Sequence, residues 1–254
     1  MSVITGFFRR MYRIFALLVW SFFIAPAAVV CTAFCRESTV IRRASKFTRW
    51  WALGCSKIMN ITVNIHGDIP ENGALVVSNH TGPFDILVNA SLFPVRFAPK
   101  KELKYTPVIG QLVSMSRPVW IDRKKRLEAK KSADMISRTI SSGANMLVYP
   151  EGTSTDGRHG ILPFKSTAFD AAEFTGCNVV MLLLFYDTPL DPGMSSAWYG
   201  DTSFGSYLWH ALGLKKVVSE VYIIGVTKIS DGEDRKSMAK RIHRQMCEEY
   251  EKIL

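Results

Sequence analysis

The chain has 254 residues, 48% of them hydrophobic, with 32 Lys and Arg against 22 Asp and Glu and a formal net charge of +10. The apolar content is ample for the core of one large α/β domain or two small ones, and the positive balance points to an acidic partner: anionic lipid, a phosphorylated substrate, an acidic carrier protein or nucleic acid. The five cysteines follow no CxxC spacing, which argues against both a disulfide framework and a zinc site.

From Ile14 to Phe34 there is no charge, and an apolar run of about 20 residues is long enough to cross a hydrocarbon core. Arg9, Arg10 and Arg13 precede it. A cleaved signal peptide is the rival reading, since Ala25-Pro26-Ala27 offers small residues, but the run continues past them and a retained segment is expected. Pro26 would kink a spanning helix, which also permits an embedded helix that does not fully cross. Arg36, Arg42, Arg43, Lys46 and Arg49 follow, interleaved with Ile41, Phe47, Trp50, Trp51 and Leu53. That pattern predicts a second helix in the headgroup layer. Positive charge on both flanks leaves the orientation open, and a helical hairpin dipping into one leaflet reconciles the two. Residues 1–59 are therefore expected to form a membrane-anchoring helical element, with a second domain over 60–254.

Beyond it, Ile61 to Ile65 alternates as a strand, and Ala74-Leu75-Val76-Val77 reads as a buried one. At its end stands Ser78-Asn79-His80-Thr81-Gly82-Pro83-Phe84-Asp85. Residues five apart on a regular helix point about 140° away from each other, so His80 and Asp85 meet only if the peptide curls, and Gly82-Pro83 supplies that curl. A carboxylate on one imidazole nitrogen leaves the other free to take a proton from a hydroxyl, making a general-base dyad. A loop histidine beside a helix-capping aspartate fits the same residues.

Further strands are expected at Val95 to Ala98, Pro118 to Ile121 and Asn145 to Tyr149. They end in Pro99-Lys100-Lys101-Glu102, Asp122-Arg123 and Pro150-Glu151-Gly152-Thr153. An α/β fold with a mostly parallel sheet flanked by helices gathers such ends along one edge, where ligands bind. There Lys100, Lys101 and Arg123 can hold a phosphate or carboxylate. Glu151-Gly152-Thr153 fits a capping turn, or a loop in which Gly152 admits a substrate to the backbone. Helices are expected over Lys124 to Ser141, Phe164 to Glu173 and Asp234 to Leu254. Strands are expected at Val179 to Tyr186 and Val217 to Thr227, with Asp187 to Leu214 as a long surface excursion. The basic run Arg123 to Arg126 lacks aromatic residues, which argues against nucleic-acid binding. No GxSxG, HExxH or GxxxxGK[ST] motif occurs.

Asn79-His80-(four residues)-Asp85, Trp120-Ile121-Asp122-Arg123 and Pro150-Glu151-Gly152-Thr153, in that order, resemble the glycerolipid acyltransferase family that includes 1-acylglycerol-3-phosphate acyltransferases. The resemblance covers about Asn60 to Tyr186, and the apolar N-terminal pair looks like the two-helix anchor of bacterial members. It implies that 60–254 is the acyltransferase domain, with His80 as base and Asp85 as its orienting partner. Arg123, Glu151, Gly152 and Thr153 would belong to the acceptor site, and Lys101 would help bind the acceptor phosphate. It also implies an acyl-carrier-protein or acyl-CoA thioester as co-substrate, a lysophospholipid acceptor, a place on the cytoplasmic face of the membrane, and no metal, cofactor or covalent acyl-enzyme. Two departures stand out: Ser154 where an Arg often follows the Thr, and no proline in Val179 to Leu184. The continuation Ser154-Thr155-Asp156-Gly157 is similar to members that acylate lyso-ornithine lipids. A non-catalytic lipid-binding protein on the same fold is the alternative class.

Overall fold

The computed structural model describes residues 3–106, 109–121, 126–186 and 196–253. Among the described residues six strands form one sheet: β1 (Ile61–His66), β2 (Leu75–Ser78), β3 (Val95–Phe97), β4 (Asn145–Val148), β5 (Val179–Tyr186) and β6 (Val217–Thr227). Their order is β1-β6-β5-β2-β4-β3. All neighbours are parallel except β5 and β6, so the fold is α/β with a mostly parallel sheet. Helices α1 (Val3–Thr32) and α2 (Glu37–Met59) precede the sheet. Then come α3 (Pro83–Leu92), α4 (Ile109–Met115), α5 (Arg126–Ser141), α6 (Asp170–Thr175), α7 (Phe204–Gly213) and α8 (Arg235–Ile253).

The central strands are continuous apolar runs because both of their faces are covered. Leu75, Val77, Val179, Met181 and Leu183 pack with Ile136 and Ile140 of α5 and Met238, Ile242 and Met246 of α8. Their sequence neighbours Val76, Val180, Leu182 and Leu184 point the other way, onto Ala52 of α2 and Val88 and Ala90 of α3. The C-terminal ends of β2, β3, β4 and β5 lie along one edge of the sheet.

Three elements differ from the sequence reading. Pro118 to Ile121 is not a separate strand. Its alternate N–H groups bond Phe97 O and Pro99 O, both at 2.9 Å, so it only prolongs the β3 edge. The stretch after Phe164 divides into a 3-10 turn, Ser166–Phe169, and the short α6. The excursion before β6 is not all loop, since Tyr207, His210, Ala211 and Leu212 of α7 are buried.

The N-terminal residues form two helices that pack on the domain along one side. Helix α1 begins at Val3 and carries the three arginines inside it. Phe8, Phe15, Phe22 and Val30, spaced seven or eight apart, are 67%, 68%, 72% and 72% exposed, so one apolar stripe of α1 has no protein partner. The opposite side faces the domain. Arg9 Nη1 donates to Gly213 O at 2.7 Å and Arg10 Nε to Trp209 O at 2.8 Å. Arg13, 3% exposed, donates to Ile58 O at 3.1 Å, Met59 O at 2.7 Å, Leu212 O at 3.0 Å and Leu214 O at 2.5 Å. These are end-of-helix carbonyls of α2 and α7, which lack intrahelical partners and carry the negative end of each helix dipole. Helix α2 packs one side on the domain. Ile41, Ala44, Thr48, Ala52, Cys55 and Met59 form its buried stripe, and Asn60 closes it in the left-handed conformation.

Arg13→Ala strands four carbonyls where two helices end. Because bonds to a charged donor are worth about 1.5–3 kcal/mol each and partly repair with water, a net loss of about 3 kcal/mol is expected in denaturant unfolding of the micelle-bound chain. Arg13→Lys, which keeps the charge with fewer donors, should recover part of it.

Candidate active site

The β2 strand ends at Ser78, and Asn79 locks the turn that follows. Its Nδ2 donates to Leu184 O at 3.0 Å, and its Oδ1 accepts from Leu184 N at 2.8 Å, which ties the loop to β5. Pro83 then opens α3 as its first residue, and Gly82 stands at the N-cap. A Cβ on Gly82 would meet the Trp198 backbone nitrogen at 3.0 Å, so only glycine lets the 196–203 segment lie this close. Trp198 N donates to Thr81 O at 2.8 Å there.

Asp85, the third residue of α3, is 0% exposed. Its Oδ2 accepts from His80 Nδ1 at 2.7 Å, Thr81 N at 2.5 Å and Gly82 N at 2.9 Å. Its Oδ1 accepts from Thr81 Oγ1 and Tyr186 Oη, both at 2.8 Å. A carboxylate offers roughly four lone-pair positions, so these donors fill it and hold it as a pure acceptor. Nδ1 of His80 therefore carries its proton toward Asp85, and Nε2 keeps its lone pair. The His80 side chain is 21% exposed, so the free side of the ring is reachable from outside.

Tyr149, at the end of β4, stacks on that ring with centroids 4.0 Å apart and planes 14° from parallel. Its hydroxyl accepts from Asn89 Nδ2 at 3.2 Å. Burial, reinforced by the nearby Asp85 charge, holds the Tyr149 and Tyr186 phenols well above their ordinary range, so both stay neutral and Tyr186 remains a donor.

Glu151 is buried, and its carboxylate faces inward. Oε1 accepts from His80 N at 2.8 Å and Oε2 from Leu162 N at 2.9 Å, which joins the loop after β4 to the loop after β2. Burial raises its pKa from 4.5 to about 6, against the opposing pull of the Leu162 and His80 N–H groups. Gly152 takes φ +75 and its N–H closes a turn on Tyr149 O at 3.1 Å. A side chain there would collide with Lys165, whose Nζ would lie 2.4 Å from an added Cβ. Thr153 is exposed beside it. Thr155 N donates to His80 O at 2.9 Å, and Ser154 Oγ donates to Trp198 O.

His80, Asp85, Glu151 and Gly152 are thus brought together. Lys100 and Lys101 lie at the end of β3, on the same edge but two strand spacings, about 10 Å, from β2. Lys100 is exposed, and Lys101 opens the 3-10 turn Lys101–Tyr105. Arg123 lies outside the described residues. Tyr149, Tyr186, Asn89 and Lys165 were not singled out from the sequence. Tyr149 directly precedes the Pro150-Glu151-Gly152-Thr153 cluster, which was a usable signal, whereas nothing local marks Tyr186. Among the described residues no group of three or more His, Cys, Asp or Glu side chains is arranged to hold a metal ion.

The sequence profile of the Acyltransferase family matches residues 60–183, which span the sheet edge and both halves of this site. A lyso-ornithine lipid O-acyltransferase of Rhodobacter capsulatus is 32% identical over 192 residues, covering 73% of this chain and 68% of that one. The chain belongs to the glycerolipid acyltransferase family. Over a longer span, a 1-acyl-sn-glycerol-3-phosphate acyltransferase of Neisseria meningitidis is 28% identical across 239 residues, 93% of this chain and 91% of the relative. The crystal structure of the 1-acyl-sn-glycerophosphate acyltransferase of Thermotoga maritima shares the fold. Its TM-score is 0.64 at 19% identity, over 100% of this chain and 98% of that one. The chain is accordingly an acyltransferase enzyme.

The Glu151 carboxyl gives a pH signature. Its folded pKa lies above the unfolded one, so between pH 4.5 and about 6 the native chain holds more proton than the unfolded chain. Its contribution favours folding at low pH and is lost as pH rises through about 6. The unfolding free energy of the native chain should therefore fall by about 2 kcal/mol relative to Glu151→Gln between pH 4.5 and 7. Parallel pH profiles for the two chains would contradict this.

Proposed function

We propose that the enzyme moves a fatty acyl chain from a thioester, acyl-carrier protein or acyl-CoA, to the free hydroxyl of a lysophospholipid, with 1-acyl-sn-glycerol 3-phosphate as the first-choice acceptor. The observation that carries this reading is the 2.7 Å bond from His80 Nδ1 to a fully buried, five-donor Asp85, which leaves Nε2 as a base on a side chain 21% exposed. In this mechanism Nε2 takes the acceptor's hydroxyl proton as the oxygen attacks the thioester carbonyl. The resulting imidazolium is stabilised by Asp85. Collapse of the tetrahedral intermediate breaks the C–S bond, and the imidazolium returns its proton to the departing thiolate. Gly152 spends its N–H on Tyr149 O, so the Lys165 ammonium over that turn is the better candidate to face negative charge on the reacting group. Glu151, Gly152 and Thr153 shape that wall, and Lys100, Lys101 and Arg123 are assigned to the acceptor phosphate.

His80→Ala should lower the transfer rate about 10²–10⁴-fold in a chain that still folds and binds membrane. Near-native turnover would refute the assignment. The second reading, a lyso-ornithine lipid acceptor, is favoured by the Rhodobacter relative's name and by Ser154, which bonds Trp198 O where an Arg would add a fixed charge. Offering lysophosphatidate, lyso-ornithine lipid and lysophosphatidylethanolamine together, with products read by mass spectrometry, separates the two. Consumption of lyso-ornithine lipid with lysophosphatidate untouched would replace the first choice.

For its place in the cell, we propose the cytoplasmic face of the inner membrane, with α1 and α2 embedded as a hairpin in one leaflet. Helix α1 is long and apolar enough to cross a bilayer. However, Arg9 near its start and Thr32 at its end both bond the same domain, the latter through Arg117 Nη2 at 3.4 Å. A helix held to one domain along its length suits lying in a leaflet. Full-length protein should pellet with membranes and resist a high-salt wash, because burial of apolar surface is not screened. A wholly soluble chain without detergent would overturn this.

A further inference from the structure

A groove of about 430 Å³ opens between α2 and β1, away from the transfer site. It reaches Ser91 and Leu92 at the C-terminal turn of α3. The dyad sits at the other end of that ten-residue helix, roughly 15 Å away along its axis. The volume falls within the ~300–1,000 Å³ range of small-molecule sites. Helix α2 supplies Arg49, Leu53, Ser56 and Lys57, and these line one wall because residues three, four and seven apart share a helical face. The other wall is the apolar face of the edge strand, Ile61, Val63 and Ile65, which alternates with exposed Thr62 and Asn64.

Two features point to a ligand. Ser56 is 6% exposed, and among the described residues its Oγ has no hydrogen-bond partner. Elsewhere on the same helix, Ser45 and Thr48 satisfy theirs on Ile41 O and Ala44 O, both at 3.0 Å. The rim carries two cations, Arg49 and Lys57, and among the described residues no carboxylate lines it. Arg49 Nε is held on Ser91 O at 3.1 Å, while Lys57 is exposed. The mouth is continuous with Trp50 and Leu53, 52% and 46% exposed. An apolar trough with a cationic rim matches one acyl chain joined to an anionic headgroup.

We propose that this groove binds one anionic phospholipid as a ligand distinct from the substrate. Native mass spectrometry of the full chain in detergent micelles, titrated with dioctanoyl phosphatidylglycerol or dioctanoyl phosphatidylcholine, tests it. One phosphatidylglycerol should be retained per chain, bound at least tenfold more tightly than phosphatidylcholine and undiminished by excess lysophosphatidate. Lys57→Glu should weaken phosphatidylglycerol at least tenfold while leaving phosphatidylcholine binding and acyl transfer unchanged. Ser56→Trp, which fills the groove, should abolish retention of both lipids. Equal affinity for the two lipids, displacement by lysophosphatidate, or unaltered binding in Lys57→Glu would overturn the site. Should Ser56→Trp fail to fold, the headgroup comparison, the displacement and Lys57→Glu decide the question without it.

Discussion

The Asp85 carboxylate is the fixed point of this molecule. Removing a charge from water is expensive unless hydrogen bonds replace the water, and here two backbone N–H groups, a threonine, a tyrosine and the His80 imidazole replace it. Each donor comes with a structural condition. The backbone donors require the Thr81-Gly82 turn, the passage of Trp198 over that turn requires glycine at 82, and the tyrosine requires β5 to run to Tyr186. The active-site loop is therefore specified by its own need to keep one buried charge satisfied. The geometry of the proposed dyad and local stability are the same set of contacts.

A second buried acid extends that logic to the next strand. Glu151 holds the His80 backbone as Asp85 holds its ring, so the imidazole is fixed from both sides. Tyr149 closes its face. The loops after β2 and β4 become one unit without sharing a strand, which is how parallel strands in adjacent positions build a site at their common edge.

How much of this was legible in the sequence depended on distance along the chain. His80 and Asp85 are five residues apart with Gly-Pro between them, so local geometry alone proposed their meeting. The strands were legible because a central strand buried on both faces is an unbroken apolar run. Tyr186 lies 101 residues from Asp85, and Leu162 meets Glu151 only through the fold. No local pattern announces such a partner. The arginines illustrate the opposite failure. Charges at Arg9, Arg10 and Arg13 precede an apolar run, and composition gives them no partner. The fold instead brings the carbonyl ends of two other helices against that face, and the charges are consumed inside the protein.

That clamp also explains how an apolar helix pair can serve a polar reaction. Phe84, the residue before Asp85, is buried in a cluster with Met59 of α2 and Tyr207 and Leu212 of α7, and Ile14 and Leu17 of α1 pack against it. Tyr186, which bonds Asp85, packs on the same cluster. The side chain that docks on the N-terminal helices and the side chain that orients the proposed base therefore stand on adjacent residues. In the proposed reaction the acyl acceptor keeps its long hydrocarbon chain in the bilayer, so its hydroxyl reaches the base only if the base is held at a fixed depth. In the proposed leaflet placement, the packing of α3 on α2 fixes that depth, and close packing tolerates no slack of the kind a flexible tether would introduce.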